Sequence, residues 1–223
     1  MHPSPSGPLA DLEALCARTL SWSPALTGSL PDGAQPRHAA VLVLFGVLDA
    51  VPATAGLPGP VPADLDVLLV RRAATLGSHP GQIAFPGGRQ DDTDADATAT
   101  ALREAVEETG LDPSGVRTLG VLPEIPLAVS NHLVTPVLAW WTRPSEVVAV
   151  DHAETVDVFR VPVAELLAPA NRAVTVHGSH RMPAFTVGGR LIWGFTAIVL
   201  ARLFDDVGWS EPWDTERVVR PDN

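Results

Sequence analysis

The sequence contains no lysine and no tyrosine, and it has a single cysteine, Cys16. One thiol cannot form an internal disulfide, nor can it build a zinc site that needs several cysteines. The 15 basic residues, all arginine, are outnumbered by 26 acidic residues, which gives a formal net charge of −11. Proteins that coat nucleic acid or anionic membranes depend on surface Lys and Arg. We therefore expect neither nucleic acid nor membrane among the partners.

Long apolar runs are also lacking, and a leader sequence is not expected. The longest apolar stretches, 39–48 and 191–204, are shorter than the roughly 18 residues that a membrane-spanning helix needs. The first seven residues contain no basic region followed by an apolar one, so no secretory signal is predicted. These features predict a cytoplasmic protein.

The 223 residues, 46% of them hydrophobic, are enough for one sizeable core. Apolar periodicity predicts strands at 39–48, 66–71, 117–122, 133–141 and 156–161, a hairpin at 184–192, and helices at 9–19, 98–111, 162–167 and 192–204. Because strands and helices do not alternate regularly, we predict an α/β chain of the α+β type, with a mixed sheet between helices. Its expected parts are an N-terminal helix and linker (1–37), a main domain (38–207) and a loosely held tail (208–223).

The helix at 98–111 carries an unusual group of carboxylates. Its predicted buried stripe consists of Thr98, Ala101, Leu102, Ala105 and Val106, and its polar stripe of Thr100, Arg103, Glu104, Glu107 and Glu108. Asp94 or Asp96 can cap its start, and Gly110 suits its end. A solvated face with one Arg103–Glu107 pair would explain the stripe simply. However, like charges at i, i+4 disfavour a helix, whereas a divalent cation that binds carboxylates requires them.

Upstream of this helix lies Phe85-Pro86-Gly87-Gly88, and Gly88 precedes Arg103 by fifteen residues. The combination resembles the Nudix box, the loop–helix–loop signature of hydrolases that cleave a nucleoside diphosphate linked to another group. The resemblance implies the Nudix fold, an α/β/α sandwich, and Mg²⁺ or Mn²⁺ as cofactor. It also implies metal ligation by Glu104, Glu107, Glu108 and the backbone carbonyl of Gly88. Glu107 or Glu108 would act catalytically, and Arg103 would orient the glutamates.

The front half of the box departs from the family pattern. Counting back from Gly110, its first glycine would fall on Arg89 and its first glutamate on Ala95. We interpret this as one extra residue in the loop 89–96, with Asp94 or Asp96 in place of the missing glutamate.

A second resemblance narrows the substrate. Residues 68–73 (LLVRRA), Gly81 and residues 85–88 look like the motif that precedes the box in coenzyme A diphosphatases, although Gly77 stands where that motif has a second arginine. The likeness implies cleavage of coenzyme A or its thioesters to 3',5'-ADP and 4'-phosphopantetheine or its acyl derivative. It also implies that Arg72, Phe85 and Gly87 contact this small-molecule substrate.

Several alternatives remain open at this point. The substrate could instead be ADP-ribose, NADH or a nucleoside triphosphate, or the chain could be a non-catalytic Nudix-fold binding module. The general base could come from a later loop, at Glu124 or Glu154. Stacking on an adenine could involve Trp140, Trp141 or Trp193. A second copy of the chain, in a homodimer, is a candidate partner.

Overall fold

The computed structural model describes residues 7–22, 30, 33, 35–47, 61, 62, 64–73, 81–128, 130–178 and 180–221. The helices of these ranges are α1 (Pro8–Cys16), α2 (Ala97–Thr109), α3 (Val163–Leu167) and α4 (Phe195–Val207). The strands are β1 (Arg37–Val47), β2 (Leu65–Arg72), β3 (Ile83–Ala84), β4 (Gly87–Arg89), β5 (Val116–Val121), β6 (Ile125–Leu127), β7 (His132–Trp141), β8 (Thr155–Pro162), β9 (Arg172–His177), β10 (His180–Val187) and β11 (Arg190–Ile192).

Eight of the described strands form one mixed sheet, with the central order β3–β2–β1–β7–β5. The three remaining strands pair with members of this series: β4 with β1, β6 with β7, and β8 with β2. Strands β1 and β7 run parallel, and the other pairs are antiparallel. Strands β9, β10 and β11 form a second, antiparallel sheet. The mixed sheet with helices on both faces confirms the predicted fold class.

Strand β1 shows how the sheet separates two cores. Alternate side chains of a strand point to opposite faces. Leu42 and Leu44 accordingly pack with Ala101 and Ala105 of α2, in the smaller apolar cluster. Phe45 lies on the other face, in the larger cluster that includes residues of α1, α3, α4 and the second sheet. Helix α2 is therefore alone among the described helices on its face of the sheet.

The buried face of α2 differs from the predicted stripe. Ala101 and Ala105 are buried as expected, whereas Leu102 is only partly buried. Thr98 and Val106 of the predicted stripe are likewise only partly buried. Thr100 and Glu108, assigned to the polar face, are buried. They can be buried because each has a partner: the Thr100 hydroxyl donates to Asp94, and the Glu108 carboxylate accepts from the backbone.

The prediction of a loosely held C-terminal tail is wrong. Trp209 is 2% exposed, packs against Phe45 and Phe204, and donates from Nε1 to Asp11 of α1. Further on, the backbone at Val218 bridges to Val174 of β9. The tail therefore joins the larger core and extends the second sheet, which its prolines and polar residues did not indicate.

Four strands of the structure are missing from the prediction. Strands β3, β4, β6 and β9 were not predicted, because all but β9 are three residues or shorter and β9 begins with a buried arginine. Much of the linker predicted within 1–37 lies outside the described residues, as does Gly77. Within the described ranges, no helix has both the length and the apolar character needed to cross a membrane.

Candidate active site

Both ends of helix α2 are fixed by its own sequence. Asp96 is the N-cap, and its Oδ1 accepts from the backbone N–H of Ala99 at 2.8 Å. Gly110 ends the helix in the left-handed conformation (φ 67°) and donates from its N–H to the carbonyl of Val106. A glycine adopts that conformation without the steric cost that a Cβ would bring. These caps set which turn carries the glutamates.

The loop before α2 is held by Arg103. Its Nε and Nη2 donate to the two carboxylate oxygens of Asp94, at 3.0 and 2.9 Å, and Nη2 also donates to the carbonyl of Arg89. The Asp94 side chain is only 6% exposed. The hydrogen bonds from Arg103 hold the pKa of Asp94 well below its usual range. Asp94 is thus held in one position in this loop by Arg103, and its substitution for the missing glutamate stays a prediction.

The same guanidinium also contacts two of the predicted metal ligands. Its Nη1 donates to Glu104 at 3.0 Å and to Glu107 at 3.2 Å. Glu107 is the more exposed of the two carboxylates, at 58% against 17%. Arg103 therefore hydrogen-bonds both side chains, and its predicted catalytic role stays a prediction.

Glu104 and Glu108 reach the strand β4. The Oε2 of Glu108 accepts from the backbone N–H of Gly87 at 3.1 Å. A Cβ added to Gly88 would overlap the carboxyl group of Glu104, so only glycine leaves room for that carboxyl here. Gly87 itself has φ 155° and lies against the backbone of β1. The two glycines of the Phe85–Gly88 motif thus let the two glutamates pack directly on the strand.

Burial makes this carboxylate pair costly to ionise. Burial raises the pKa of Glu108 to about 7, although the Gly87 N–H and the charge of Arg72 act in the opposite direction. Burial likewise raises the pKa of Glu104, against the effect of Arg103. The negative charge of Glu104 raises the pKa of Glu108 further, because a nearby like charge disfavours ionisation. The site is a partly desolvated negative cluster that a cation would stabilise.

Glu154 is the third carboxylate near this pair, and it comes from the segment before β8. The negative charge of Glu154 raises the pKa of both Glu104 and Glu108, although burial has the larger effect on each. Two backbone hydrogen bonds hold the segment that contains Glu154 in place. Val150 donates from its N–H to the carbonyl of Glu108 at 3.2 Å, and Ala73 donates to the carbonyl of Glu154 at 2.7 Å. Of the two later-loop candidates for a general base, Glu154 lies beside the glutamate pair.

Glu124 has other partners. It accepts from the hydroxyl of Thr135 at 3.3 Å and lies 3.9 Å from His38. Trp141 is buried, and its ring is covered by the guanidinium of Arg160 at 4.9 Å. Trp141 is thus engaged by Arg160, whereas Glu124 binds Thr135, whose strand neighbour Ala40 pairs with Gly88, so Glu124 as a base stays a prediction. Nothing in the sequence distinguished Glu154 from Glu124, because the choice depends on the pairing of β2 with β8.

Two predicted substrate contacts have different outcomes. The buried Nε of Arg72 has no hydrogen-bond partner in the described part of the chain, and the charge of Arg72 acts on Glu108. Arg72 therefore contributes positive charge to the site, and its contact with substrate stays a prediction. Phe85 is 2% exposed and packs in the larger core cluster. The expectation that Phe85 contacts substrate is not supported, because its ring has no free surface.

The donor set fits a hard divalent cation that keeps part of its water shell. Among the described residues, no group of three or more His, Cys, Asp or Glu side chains already surrounds one point. Arg103 accounts for part of this, since it draws Glu104 and Glu107 toward itself. Mg²⁺ in nucleotide enzymes usually takes only one or two carboxylates, with water and substrate phosphate completing its shell. Glu104 and Glu108 beside Gly88 meet that requirement.

Comparison with known proteins yields consistent matches. Residues 53–179 match the sequence profile of the NUDIX domain. NudL of Cronobacter sakazakii, an uncharacterized Nudix hydrolase, is 38% identical over 146 residues, which cover 64% of this chain and 75% of that protein. NudL of Photorhabdus laumondii is 40% identical over 146 residues, which cover 63% and 76%.

Solved structures also match. The Nudix hydrolase RenU from M. smegmatis gives a TM-score of 0.45 at 20% identity, covering 59% of this chain and 73% of that one. A MutT/nudix family protein from Enterococcus faecalis gives 0.48 at 18% identity, covering 89% and 74%. The NUDIX profile match spans every residue of the site described above, from Arg72 to Glu154.

Proposed function

Since the chain belongs to the Nudix hydrolase family, we propose that the diphosphate it cleaves is that of coenzyme A or of a coenzyme A thioester, with Mg²⁺ or Mn²⁺ as cofactor. The products would be 3',5'-ADP and 4'-phosphopantetheine or its acyl derivative. The main support for the proposal is the hydrogen bond from Gly87 N–H to Glu108, because it connects the two motifs identified in the sequence. Glu108 belongs to the Nudix box, and Gly87 belongs to the tetrapeptide that resembles coenzyme A diphosphatases.

In the proposed site, Glu104 and Glu108 would hold the metal, together with the backbone carbonyl of Gly88. When bound, the metal would neutralise charge between the carboxylates and the diphosphate and would lower the pKa of a bound water. Arg103 keeps Glu104 and Glu107 oriented through its hydrogen bonds. Glu107 is a further metal ligand or the residue that accepts the proton of the attacking water. Its exposed carboxylate suits either role.

Glu154 is the second candidate for the general base. It comes from outside the box, and its negative charge acts on the same carboxylate pair, so it adds to the field that attracts the cation. On the substrate side, Arg72 is the candidate for a phosphoryl oxygen, since its charge acts at the site and guanidinium groups bind phosphate through several donors.

One observation favours a different nucleoside diphosphate derivative. Gly77 stands where the coenzyme A motif has its second arginine, so one phosphate contact of that motif is absent. ADP-ribose and NADH therefore remain the second candidates for the substrate. A purely binding role is disfavoured, because Glu104, Glu107 and Glu108 are all present.

Product analysis tests the proposal. The purified chain is incubated with coenzyme A and Mg²⁺, and the products are identified by mass spectrometry. We expect 3',5'-ADP and 4'-phosphopantetheine in equal amounts, and none after chelation of the metal. Glu146→Gln, which removes an exposed carboxylate elsewhere, is the matched control for Glu108→Gln and should retain the activity. Intact coenzyme A after prolonged incubation with Mg²⁺ and with Mn²⁺ would refute the proposed substrate.

A further inference from the structure

Two arginines from different strands share one carboxylate on the face of the sheet opposite α2. Arg71 of β2 lies 3.9 Å from Oδ2 of Asp157 in β8, and Arg190 of β11 lies 3.3 Å from the same oxygen. The guanidinium of Arg190 also stacks on the ring of Phe159, 4.5 Å from its centroid. Two positive charges thus face one negative charge, in a chain whose net charge is −11.

The pair has hydrogen-bond donors in reserve. A guanidinium carries five N–H donors, and Asp157 can accept only a few of the ten in this cluster. The side chains of Arg71 and Arg190 are 50% and 44% exposed, so their other donors face solvent. Arg117, by comparison, pairs with one carboxylate of its own, that of Glu13, at 2.6 Å. Arg71 and Arg190, in contrast, share a single carboxylate.

The orientation of Arg190 is set before any ligand arrives. It follows the turn Gly188-Gly189, where both residues have positive φ, and its backbone pairs with Val187. Stacking on Phe159 then fixes the plane of the guanidinium. A planar fork held in place binds phosphate through two parallel hydrogen bonds with little loss of entropy.

The pair lies close to the catalytic end of β2. Arg71 directly precedes Arg72, and Asp157 follows Glu154 by three residues. The β2–β8 ladder shifts by one residue between Arg71 and Arg72, and bulges next to active sites re-aim side chains. At about 3.3 Å per residue, Arg71 is about 7 Å along the strand from Ala73, whose N–H holds Glu154. That is within the length of one nucleotide.

We propose that Arg71 and Arg190 bind a second anionic group of the substrate, a phosphomonoester outside the scissile diphosphate. The proposal rests on the proposed function, since the 3'-phosphate of coenzyme A is such a group. Asp157 holds the two guanidinium groups near each other, and the incoming phosphate takes the donors that face solvent. ADP-ribose and NADH lack this phosphate, so the pair selects against them.

Kinetics on two matched substrates test the subsite. The ratio of kcat/KM for coenzyme A to that for 3'-dephospho-coenzyme A is measured in the wild type, Arg71→Gln/Arg190→Gln and the control Arg117→Gln. We expect a ratio of at least about ten in the wild type and the control, because each charged hydrogen bond to phosphate contributes about tenfold or more. The ratio should fall to about one in the double variant. Equal rates on both substrates in the wild type, or an unchanged ratio in the double variant, would overturn the subsite while leaving the proposed function intact.

A binding experiment separates failure of the subsite from failure of the proposed function. Calorimetry compares adenosine 3',5'-bisphosphate with AMP, neither of which contains a diphosphate to be cleaved. We expect the bisphosphate to bind at least about tenfold more tightly to the wild type, and about equally with AMP to the double variant. This result without hydrolysis of coenzyme A would refute the proposed function and keep the subsite. Equal binding of both nucleotides to the wild type would overturn the subsite.

Discussion

Arg103 donates two hydrogen bonds to the carboxylate of Asp94, nine residues earlier in the chain, and thereby ties the loop before α2 to the turn that bears the glutamates. The same guanidinium orients Glu104 and Glu107. One side chain thus couples the loop structure to the site. This explains how the loop keeps its geometry where the family motif would have a glutamate and this chain has Ala95.

Asp94→Asn should destabilise the protein in a pH-dependent way. Hydrogen bonds from Arg103 hold the pKa of Asp94 below its usual range. A carboxyl with a lowered pKa in the folded state stabilises that state above the unfolded-state pKa, about 3.9 for Asp, and the contribution disappears at lower pH. We therefore expect the stability deficit of the variant to be constant above pH about 5 and to shrink as the pH falls below about 4. Urea denaturation at a series of pH values measures it. Asp92→Asn, at an exposed position in the same loop, is the control, and a deficit independent of pH would contradict this role of Asp94.

Glu108→Gln should abolish metal-dependent turnover without unfolding the protein. The amide keeps an oxygen for the Gly87 N–H but no longer offers a charged ligand. We expect kcat to fall by at least about a hundredfold, the scale seen when a principal electrostatic group is removed. The melting temperature at pH 8 should stay within a few degrees, because burial raises the pKa of Glu108 to about 7 and makes its ionised form unfavourable there. Steady-state kinetics and thermal melts of the variant and of Glu146→Gln provide the comparison. Retained activity would exclude Glu108 as a metal ligand.

Gly88→Ala should impair activity more than stability. The added Cβ overlaps the carboxyl group of Glu104, the mobile end of a side chain, which can move aside at little cost in folding free energy. Movement of that carboxylate weakens the metal site, so we expect a higher Mg²⁺ concentration for half-maximal rate. Gly7→Ala adds a Cβ in open space and controls for the loss of glycine. A Mg²⁺ dependence identical to that of the wild type would show that Glu104 is not needed in its observed position.

Trp209→Ala should destabilise the whole domain. The indole is buried against Phe45 and Phe204 and binds Asp11. Removal of a buried tryptophan costs about 3–5 kcal/mol. Val121→Ala removes an exposed side chain, 54% accessible, and should cost little. Chemical denaturation of both variants checks the prediction, and a loss for Trp209→Ala as small as that for Val121→Ala would mean that the tail does not stabilise the core.

The parts of the site that were predictable from the sequence are those set by local spacing. Apolar periodicity and the caps Asp96 and Gly110 define α2, and the interval between Arg103 and Gly110 identifies the box. The parts that were not predictable depend on contacts between distant segments. Glu154 is placed near the site by the pairing of β2 with β8, and Trp209 is buried through its contacts with Asp11 of α1 and Phe45 of β1. Glu108 is buried where it accepts a hydrogen bond from Gly87 of β4, and the periodicity of a helix does not reveal such a contact with a strand.

The most direct test of the proposed function is the ratio of kcat/KM for coenzyme A to that for ADP-ribose, measured with Mg²⁺ on the wild-type chain and repeated with NADH and a nucleoside triphosphate. We predict that coenzyme A is cleaved at least about tenfold more efficiently than each of the others, a difference of about 1.4 kcal/mol in transition-state binding. A tenfold preference for ADP-ribose would contradict the assigned substrate.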